Sequence, residues 1–404
     1  MLEKFYPAKA GFNLKFQIKV NSEDGMDFNL TEEQKQIRDE IRRFAETEIA
    51  PDAAERDEQE KFAEKQIKKL GELGYMGMTV SSQYGGQSAD TVTYALVVEE
   101  LSKVDASVGV ALSVNNSLVC YGLEAFAAEE QKQKYLVPLA TGKALGAYCL
   151  SEPGTGSDAG NMMTIAEKRG DHYIINGAKN FITNGVHADY LIVFATMDKT
   201  AGTKGVSAFI VERGYAGVSI GKKEKKLGIR SSDTAMLNFD DVKVPAANLL
   251  GKEGRGFQIA MAILDVGRIG IAAQALGIAR ASFEAAVKYA RERQQFGHPI
   301  IDFQAINFML ADMATEIDAA RLLIYQAAVA KDRGEKFSVQ SAKAKLYASR
   351  VAVGCGVKAV QIFGGAGYLK DYPVERYMRD ARITEIYEGT SEIQQLVIAR
   401  SLMV

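Results

Sequence analysis

Cysteine and histidine, the residues of disulfide frameworks and zinc-type metal sites, are scarce in this chain. It has three cysteines and three histidines in 404 residues. Cys120, Cys149 and Cys355 lie far apart, with no CxxC spacing. That excludes a zinc-ribbon or disulfide-framework reading and fits a reducing compartment, with each thiol a small buried hydrophobe. His172, His187 and His298 have no second His or Cys at ligand spacing, so no metal site is expected. Charge of one sign is also lacking. Lysine plus arginine total 49 against 51 acids, a net charge of −2. There is no global basic field for nucleic acid or an anionic membrane surface. No stretch reads as long and apolar enough to span a bilayer. The segment Met1–Gly25 has four lysines, no arginine and no apolar run. It reads as neither signal nor transit peptide, but as an extension before a fresh start at Met26.

What is present is ordinary globular material, 47% hydrophobic and 25% charged. The length suggests about two to three domains. From Leu30 the pattern is helical. Thr31 and Gln34 form a capping box, apolar residues follow at Ile37, Ile41, Phe44 and Ile49, and Pro51 is expected to stop that helix. Helical patterns follow at about Ala63–Leu73, Thr91–Val104, beyond Ala106, and from Glu129 to near Gly142. At Gly146 the character changes. Short strand-like runs at 147–150, 173–175, 190–194, 206–211 and 235–239 are separated by Asn176-Gly177, Asn184-Gly185, Arg213-Gly214 and Ala216-Gly217, read as turns. This predicts an antiparallel sheet or barrel. From Gly254 long helices return, at about Phe257–Arg293, Ile306–Arg333 and Val339–Phe363. The first is apolar nearly all round, as in a core or interface. The expected fold class is α+β, mostly α. It has an N-terminal helical domain (26–145), a middle antiparallel β domain (146–252) and a C-terminal four-helix-bundle domain (253–404), with 1–25 as the extension.

Several stretches carry candidate chemistry, each with a plain structural alternative. In Tyr387-Glu388-Gly389-Thr390-Ser391, a carboxylate beside an aromatic and a glycine suits a general base; the alternative is a capped helix with solvated glutamates. Ser151–Asp158 is a Gly-rich turn after a strand. It either presents N–H and hydroxyl donors to a ring or phosphate, or is a plain loop. Phe181 and Thr183 share one strand face, where Phe181 either stacks on a flat ring or fills the sheet core. Asp265 and Arg268, at i and i+3 in an apolar helix, form an ion pair that is either structural or turned to a ligand. The cationic end Arg291–Arg293 and the glycines of Gln361–Tyr368 read as phosphate or cofactor contacts, or as helix ends. The cluster Lys222–Lys226 reads as a solvated loop face.

Taken together and in this order, these stretches resemble the acyl-CoA dehydrogenase family, most closely its short-chain (butyryl-CoA) branch. The residues carrying the likeness are Tyr148–Ser157, Phe181–Gly185, Lys222–Thr234, Leu264–Arg268, Arg293–Pro299, Gln361–Tyr368 and Met378–Gln394. The resemblance runs from about Met26 to Val404. It implies an oxidoreductase of fatty acid metabolism, an FAD flavoprotein that converts a short-chain acyl-CoA to the trans-2-enoyl-CoA. In that scheme Glu388 takes the α-proton and a β-hydride passes to flavin N5. By position, Tyr148, Leu150, Ser151, Ser157, Phe181, Thr183, Thr390 and Glu392 would meet the cofactor. Arg293, Phe296, Gln304, Gln361, Gly364 and Gly365 would hold its ADP part from a neighbouring subunit. Ser157, Asp265, Arg268, Tyr387 and Gly389 would meet substrate.

The family likeness further implies a homotetramer built as a dimer of dimers, with electron-transfer flavoprotein as acceptor and neither nucleic acid nor membrane as partner. The expected location is a bacterial cytoplasm or, alternatively, a mitochondrial matrix. Relatives of the isovaleryl and long-chain type carry the base just before the arginine matching Arg268. Here that residue is Gly267, which leaves Glu388 as the candidate. Glu392 stands where some members have Gln, and His298 where Lys is common. Other substrate classes, branched or medium-chain, stay open, as does a non-enzymatic binding protein on the same fold. The net charge and the retained Glu388 count against the last.

Overall fold

The computed structural model describes residues 29–403. The expected extension 1–25 lies outside them.

Thr31 caps α1 (Glu32–Phe44) as the sequence predicts. Its hydroxyl accepts from Gln34 N–H at 3.1 Å, and Gln34 Oε1 accepts from Thr31 N–H at 3.0 Å. Pro51 does not stop the helix. A widened turn at Ala45–Ile49 leads directly into α2 (Ala50–Gln59), with Pro51 in its first turn. α3 (Glu64–Glu72) ends before Gly74, which takes φ 83°. α4 (Thr91–Val104) is buried along most of its length and is capped by Asp90. α5 (Ala106–Ser113) passes through a widened stretch, Val114–Cys120, into α6 (Tyr121–Phe126). α7 (Glu129–Gln131) and α8 (Val137–Ala140) close the first helical region.

An eight-stranded sheet follows. Its strands are β1 (Gly146–Cys149), β2 (Ile165–Arg169), β3 (His172–Thr183), β4 (Tyr190–Thr196), β5 (Val206–Glu212), β6 (Val218–Lys223), β7 (Thr234–Pro245) and β8 (Leu249–Leu250). The order is β6-β7-β3-β2-β4-β5-β8, with β1 also on β4. The sheet is mixed rather than antiparallel throughout, because β1 and the start of β2 run parallel to β4. β1 enters from the helical region instead of from a hairpin, so no local turn signal announces its direction. Asn176-Gly177 is not a turn either. It is a register shift inside β3, where Gly177 takes φ 146°. A Cβ there would lie 2.7 Å from the Thr164 Cα, so the bulge needs glycine. The lysine cluster is only partly solvated, since Lys223 donates to the Glu60 carbonyl at 2.9 Å and Lys226 to the Ser232 carbonyl at 2.7 Å.

The C-terminal region holds α9 (Gly256–Glu292), a two-residue-stranded hairpin (β9 Gln294–Gln295, β10 His298–Pro299), α10 (Gln304–Asp332), α11 (Ser338–Phe363), α12 (Val374–Ile383) and α13 (Ser391–Ser401). α9 packs on α11, α4 and α10, and small residues let the backbones close. A Cβ at Gly277 would lie 2.4 Å from the Glu99 carbonyl oxygen of α4. Ala106–Phe126 and α9 are in fact long and apolar enough to cross a membrane, against expectation. Within their most apolar windows, 94% and 78% of residues are buried inside the protein. Burial of this kind is what core helices show.

All three cysteines are buried and free. His187 is not a bystander: its Nδ1 pairs with buried Asp233 and its ring stacks on Phe62 at 4.1 Å. That pair ties the first helical region to the sheet.

Candidate active site

Glu388 sits on a turn between α12 and α13. Both it and Gly389 take left-handed backbone, φ 51° and 95°. That conformation is unfavourable for a glutamate and persists only where the surroundings fix it. Here they do. The Gly389 carbonyl accepts from Lys345 Nζ on α11 at 2.6 Å and from Gln394 Nε2 on α13 at 2.9 Å. Thr390 then caps α13 by accepting from Ile393 N–H at 3.3 Å.

The turn aims the Glu388 side chain at α9. Its Oε2 is closed to solvent and has no hydrogen-bond partner among the described residues, although the residue as a whole is only half-buried. Loss of hydration pushes the Glu388 carboxyl up to about 7, against the pull of the Lys345 and Arg268 cations. The solvated reading therefore fails for Glu388. Glu385 is half-buried as well, and its carboxylate pairs with exposed Arg382. Tyr387 donates to Gln274 Oε1, and Gln274 in turn donates to the Ala106 carbonyl at 2.9 Å. These bonds tie the turn to α9 and α5.

Arg268 pairs with Asp265 as the i, i+3 spacing predicts. Asp265 also accepts from Ser338 Oγ at 2.9 Å. Burial dominates both groups: it raises the Asp265 carboxyl and lowers the Arg268 guanidinium, despite their mutual attraction. Arg268 Nε is buried without a hydrogen-bond partner among the described residues.

Tyr148 on β1 donates to the Ala260 carbonyl of α9 at 3.2 Å, and its ring leans on Phe194 at 5.0 Å. Leu150 is buried; Ser151 is half-buried and Ser157 exposed. Glu152 and Lys179 underpin this loop, both buried and 2.8 Å apart. Glu152 accepts from Thr164 N–H at 2.9 Å, and Lys179 also donates to the Leu150 carbonyl at 3.1 Å. Phe181 is not sheet core. It takes φ 58° and is 63% exposed, with half-buried Thr183 following on β3.

A second group lies where α9 ends, α10 begins and α11 ends. Arg293, Phe296, Gln304, Gln361, Gly364 and Gly365 are all exposed there, Phe296 by 90%. Stacking of Tyr289 on Phe363 at 4.0 Å holds the two helix ends together. Among the described residues, no hydrogen bond or ring contact joins this group to Glu388. His298 sits in the hairpin, exposed. Glu392 is exposed in the first turn of α13.

The chain matches three family models: "Acyl-CoA dehydrogenase, N-terminal domain" over residues 31–143, "Acyl-CoA dehydrogenase, middle domain" over 147–242 and "Acyl-CoA dehydrogenase, C-terminal domain" over 254–403. The chain belongs to the acyl-CoA dehydrogenase family. It is 56% identical to the short-chain-specific acyl-CoA dehydrogenase of Clostridium acetobutylicum, over 93% of this chain and 99% of that one. It superposes on the butyryl-CoA dehydrogenase structure of Megasphaera elsdenii with TM-score 0.93 and 50% identity, over 94% and 100% of the two chains. It superposes equally well (TM-score 0.93, 53% identity, 94% and 100% covered) on a chain from the structure described as "Electron transferring flavoprotein of Acidaminococcus fermentans: Towards a mechanism of flavin-based electron bifurcation". The family carries out FAD-dependent dehydrogenation of acyl-CoA, and this chain is an acyl-CoA dehydrogenase. Solved relatives include FAD complexes.

From the sequence no role fell to Lys345, Lys179 or Gln274, and Gln394 stood only as the last residue of the stretch Met378–Gln394. Two of them had a visible signal: a lysine in the alanine-rich run Ala342–Ala348, and one in the middle of a strand.

Proposed function

We propose that this chain binds FAD and dehydrogenates short-chain acyl-CoA thioesters to trans-2-enoyl-CoA, with Glu388 as the base. The observation that carries this reading is the Glu388 carboxyl: its Oε2 is closed to water and unpartnered among the described residues, and burial raises its pKa to about 7. A carboxylate poised near pH 7 matches the proton affinity needed to take a weakly acidic α-hydrogen. The thioester oxygen needs donors where negative charge develops. The Glu388 N–H donates to no protein acceptor among the described residues and is the chain's own candidate. Arg268 and Asp265 would line the acyl-CoA path with Ser157, Tyr387 and Gly389.

The residues present fit a flavin dinucleotide. Among the described residues, a Cβ on Gly154 or Gly156 would meet nothing within 4 Å, and buried Thr155 Oγ1 lacks a partner. Phe181 offers an exposed ring, and the preceding Asn180 N–H donates to the Ser151 carbonyl at the start of that loop at 2.8 Å. Tyr148, Leu150, Ser151, Ser157, Thr183, Thr390 and Glu392 complete the proposed flavin contacts. At the other end, Gly364 and Gly365 likewise face open space beside Arg293, Phe296, Gln304 and Gln361. Exposure of this second group supports its serving the ADP part of a neighbouring subunit's cofactor, in a homotetramer of paired dimers. When bound, FAD supplies the hydride acceptor that the side chains lack. The protein's part is orientation, the base and exclusion of water.

Electron-transfer flavoprotein is the proposed acceptor, and the cytoplasm of a bacterium the proposed location; both rest on the relatives. The domain bounds proposed are 26–145, 146–252 and 253–404. The test is anaerobic bleaching of the bound flavin with butyryl-, hexanoyl- and octanoyl-CoA, for the native enzyme and for Glu388→Gln. The variant should bind FAD and ligand yet barely bleach. Near-native bleaching would remove Glu388 from its role, and a preference for octanoyl-CoA would remove the short-chain assignment.

A further inference from the structure

Lys345 is fully closed to solvent on α11. Burying an ammonium is costly, and here burial lowers its pKa to about 8. Its hydrogen-bond partner is the Gly389 carbonyl, at 2.6 Å, and not a carboxylate. That carbonyl closes the two-residue left-handed turn that carries Glu388. Gln394 Nε2 clamps the same oxygen at 2.9 Å and reaches the Glu388 carbonyl at 3.4 Å. A strained turn with two donors converging on one oxygen is held by those donors.

We propose that Lys345 is a positioning residue for the base: by clamping the Gly389 carbonyl, it fixes the left-handed turn that sets the Glu388 carboxyl against α9. The inference rests on Glu388 being the base. Lys345 touches no reacting atom and acts through the turn. Its charge has a second effect. The charged and titratable groups around Glu388 are Arg268 from α9, Lys345 from α11, Tyr148 from β1, Tyr94 from α4 and its neighbour Tyr387. Among the described residues, the cations acting on Glu388 are Arg268 and Lys345, and both oppose the rise that burial causes. Lys345 in turn faces Glu388, Arg268, Glu385 and Glu392. Without the ammonium, the base ionises at higher pH. Gln394 shares the clamp but carries no charge, so the two residues separate geometry from electrostatics.

The test uses FAD-loaded enzyme and a 3-thia-acyl-CoA, which has an acidic α-hydrogen and no β-hydrogen to lose. In D2O the carboxylate takes the α-proton, the carboxyl exchanges with solvent, and a deuteron returns to the same carbon. Mass spectrometry follows the exchange against pH, with flavin content and thermal melting as folding controls. Lys345→Met should move the midpoint of the exchange profile up by about one pH unit. It should lower the plateau rate roughly tenfold or more, with the ligand's half-saturation little changed. Gln394→Met should lower the plateau and leave the midpoint in place. Lys345→Arg should restore the midpoint. If Lys345→Met fails to load FAD, the Arg and Gln394 variants carry the test. A native profile in Lys345→Met overturns the proposal. So does a loss in Lys345→Arg equal to that in Lys345→Met, at native flavin content. Persistence of exchange in Glu388→Gln would instead overturn the assignment of the base itself.

Discussion

A Cβ placed on Gly267 would lie 2.2 Å from Oε2 of Glu388 and 2.6 Å from Leu118 Cδ2. No pair of heavy atoms without a covalent bond tolerates the first separation. The absence of a side chain at 267 is therefore what allows the carboxyl its place. Relatives that carry their base one residue before the matching arginine would put a side chain in the same space.

Gly267→Ala follows directly from this contact. The methyl group must displace the Glu388 carboxyl, while its helical backbone is as acceptable to alanine as to glycine. The expected result is intact folding and flavin content with acyl-CoA oxidation slowed by roughly a hundredfold, as for a base displaced by about 1 Å. Stopped-flow reduction measures it. A loss below threefold would show that the carboxyl has room to move.

The pH dependence follows from the same carboxyl. A base must be ionised to act, and burial raises the Glu388 pKa to about 7. Activity at low substrate should rise tenfold per pH unit below that value and level off above it. The profile of kcat/KM reads the free enzyme. An inflection near the ordinary carboxylate range of about 4 would contradict the buried, unpartnered geometry.

The Asp265–Arg268 pair should be costly to break from one side. Asp265→Ala leaves buried the Arg268 guanidinium, whose Nε already lacks a partner among the described residues. Loss of about 3 kcal/mol of stability is expected. Urea unfolding checks it. Replacing both residues with apolar side chains should cost less than the single change.

Asp380 offers a separate test of burial. It accepts from Ile229 N–H, and burial pushes its pKa up to about 7, against the pull of Arg376. The folded state therefore binds its proton more tightly than the unfolded chain does. This contribution is fully present below the unfolded pKa of about 4, erodes as pH rises, and is lost above about 7. Asp380→Asn has no such term and keeps an acceptor for Ile229. Its melting temperature should gain on the native protein between those limits and hold a constant offset above them.

Much of the element plan was legible because it is written in local patterns. The capping box at Thr31, the Asp265–Arg268 spacing and the bounds of α4 and α9 each depend on neighbours within a few residues. Pro51 misled because a proline's effect depends on where its helix begins. The widened turn at Ala45–Ile49 makes Pro51 a first-turn residue. The parallel pairing of β1 with β4 and the bulge at Gly177 were hidden, since strand direction and register are set across the sheet. Apolar length alone cannot tell a membrane span from a core helix; for α9 the packing against α4 and α11 supplies that information.

For the site, the sequence by itself determined the chemical parts: a glutamate before a glycine, an empty side chain at 267, a paired aspartate and arginine, and glycines at two loop positions. Their order along the chain determined the family. The tertiary structure decided what those parts become. Carboxyl burial, the cations that oppose its effect, and the Lys345 clamp on the Gly389 carbonyl arise where α9, α11 and α13 meet. These residues lie more than a hundred positions apart at the extremes. A pKa depends on that convergence of solvent exclusion and charge, and no local pattern encodes it. Glu388 could be found from its neighbours in sequence; its ionisation near neutral pH comes from its neighbours in space.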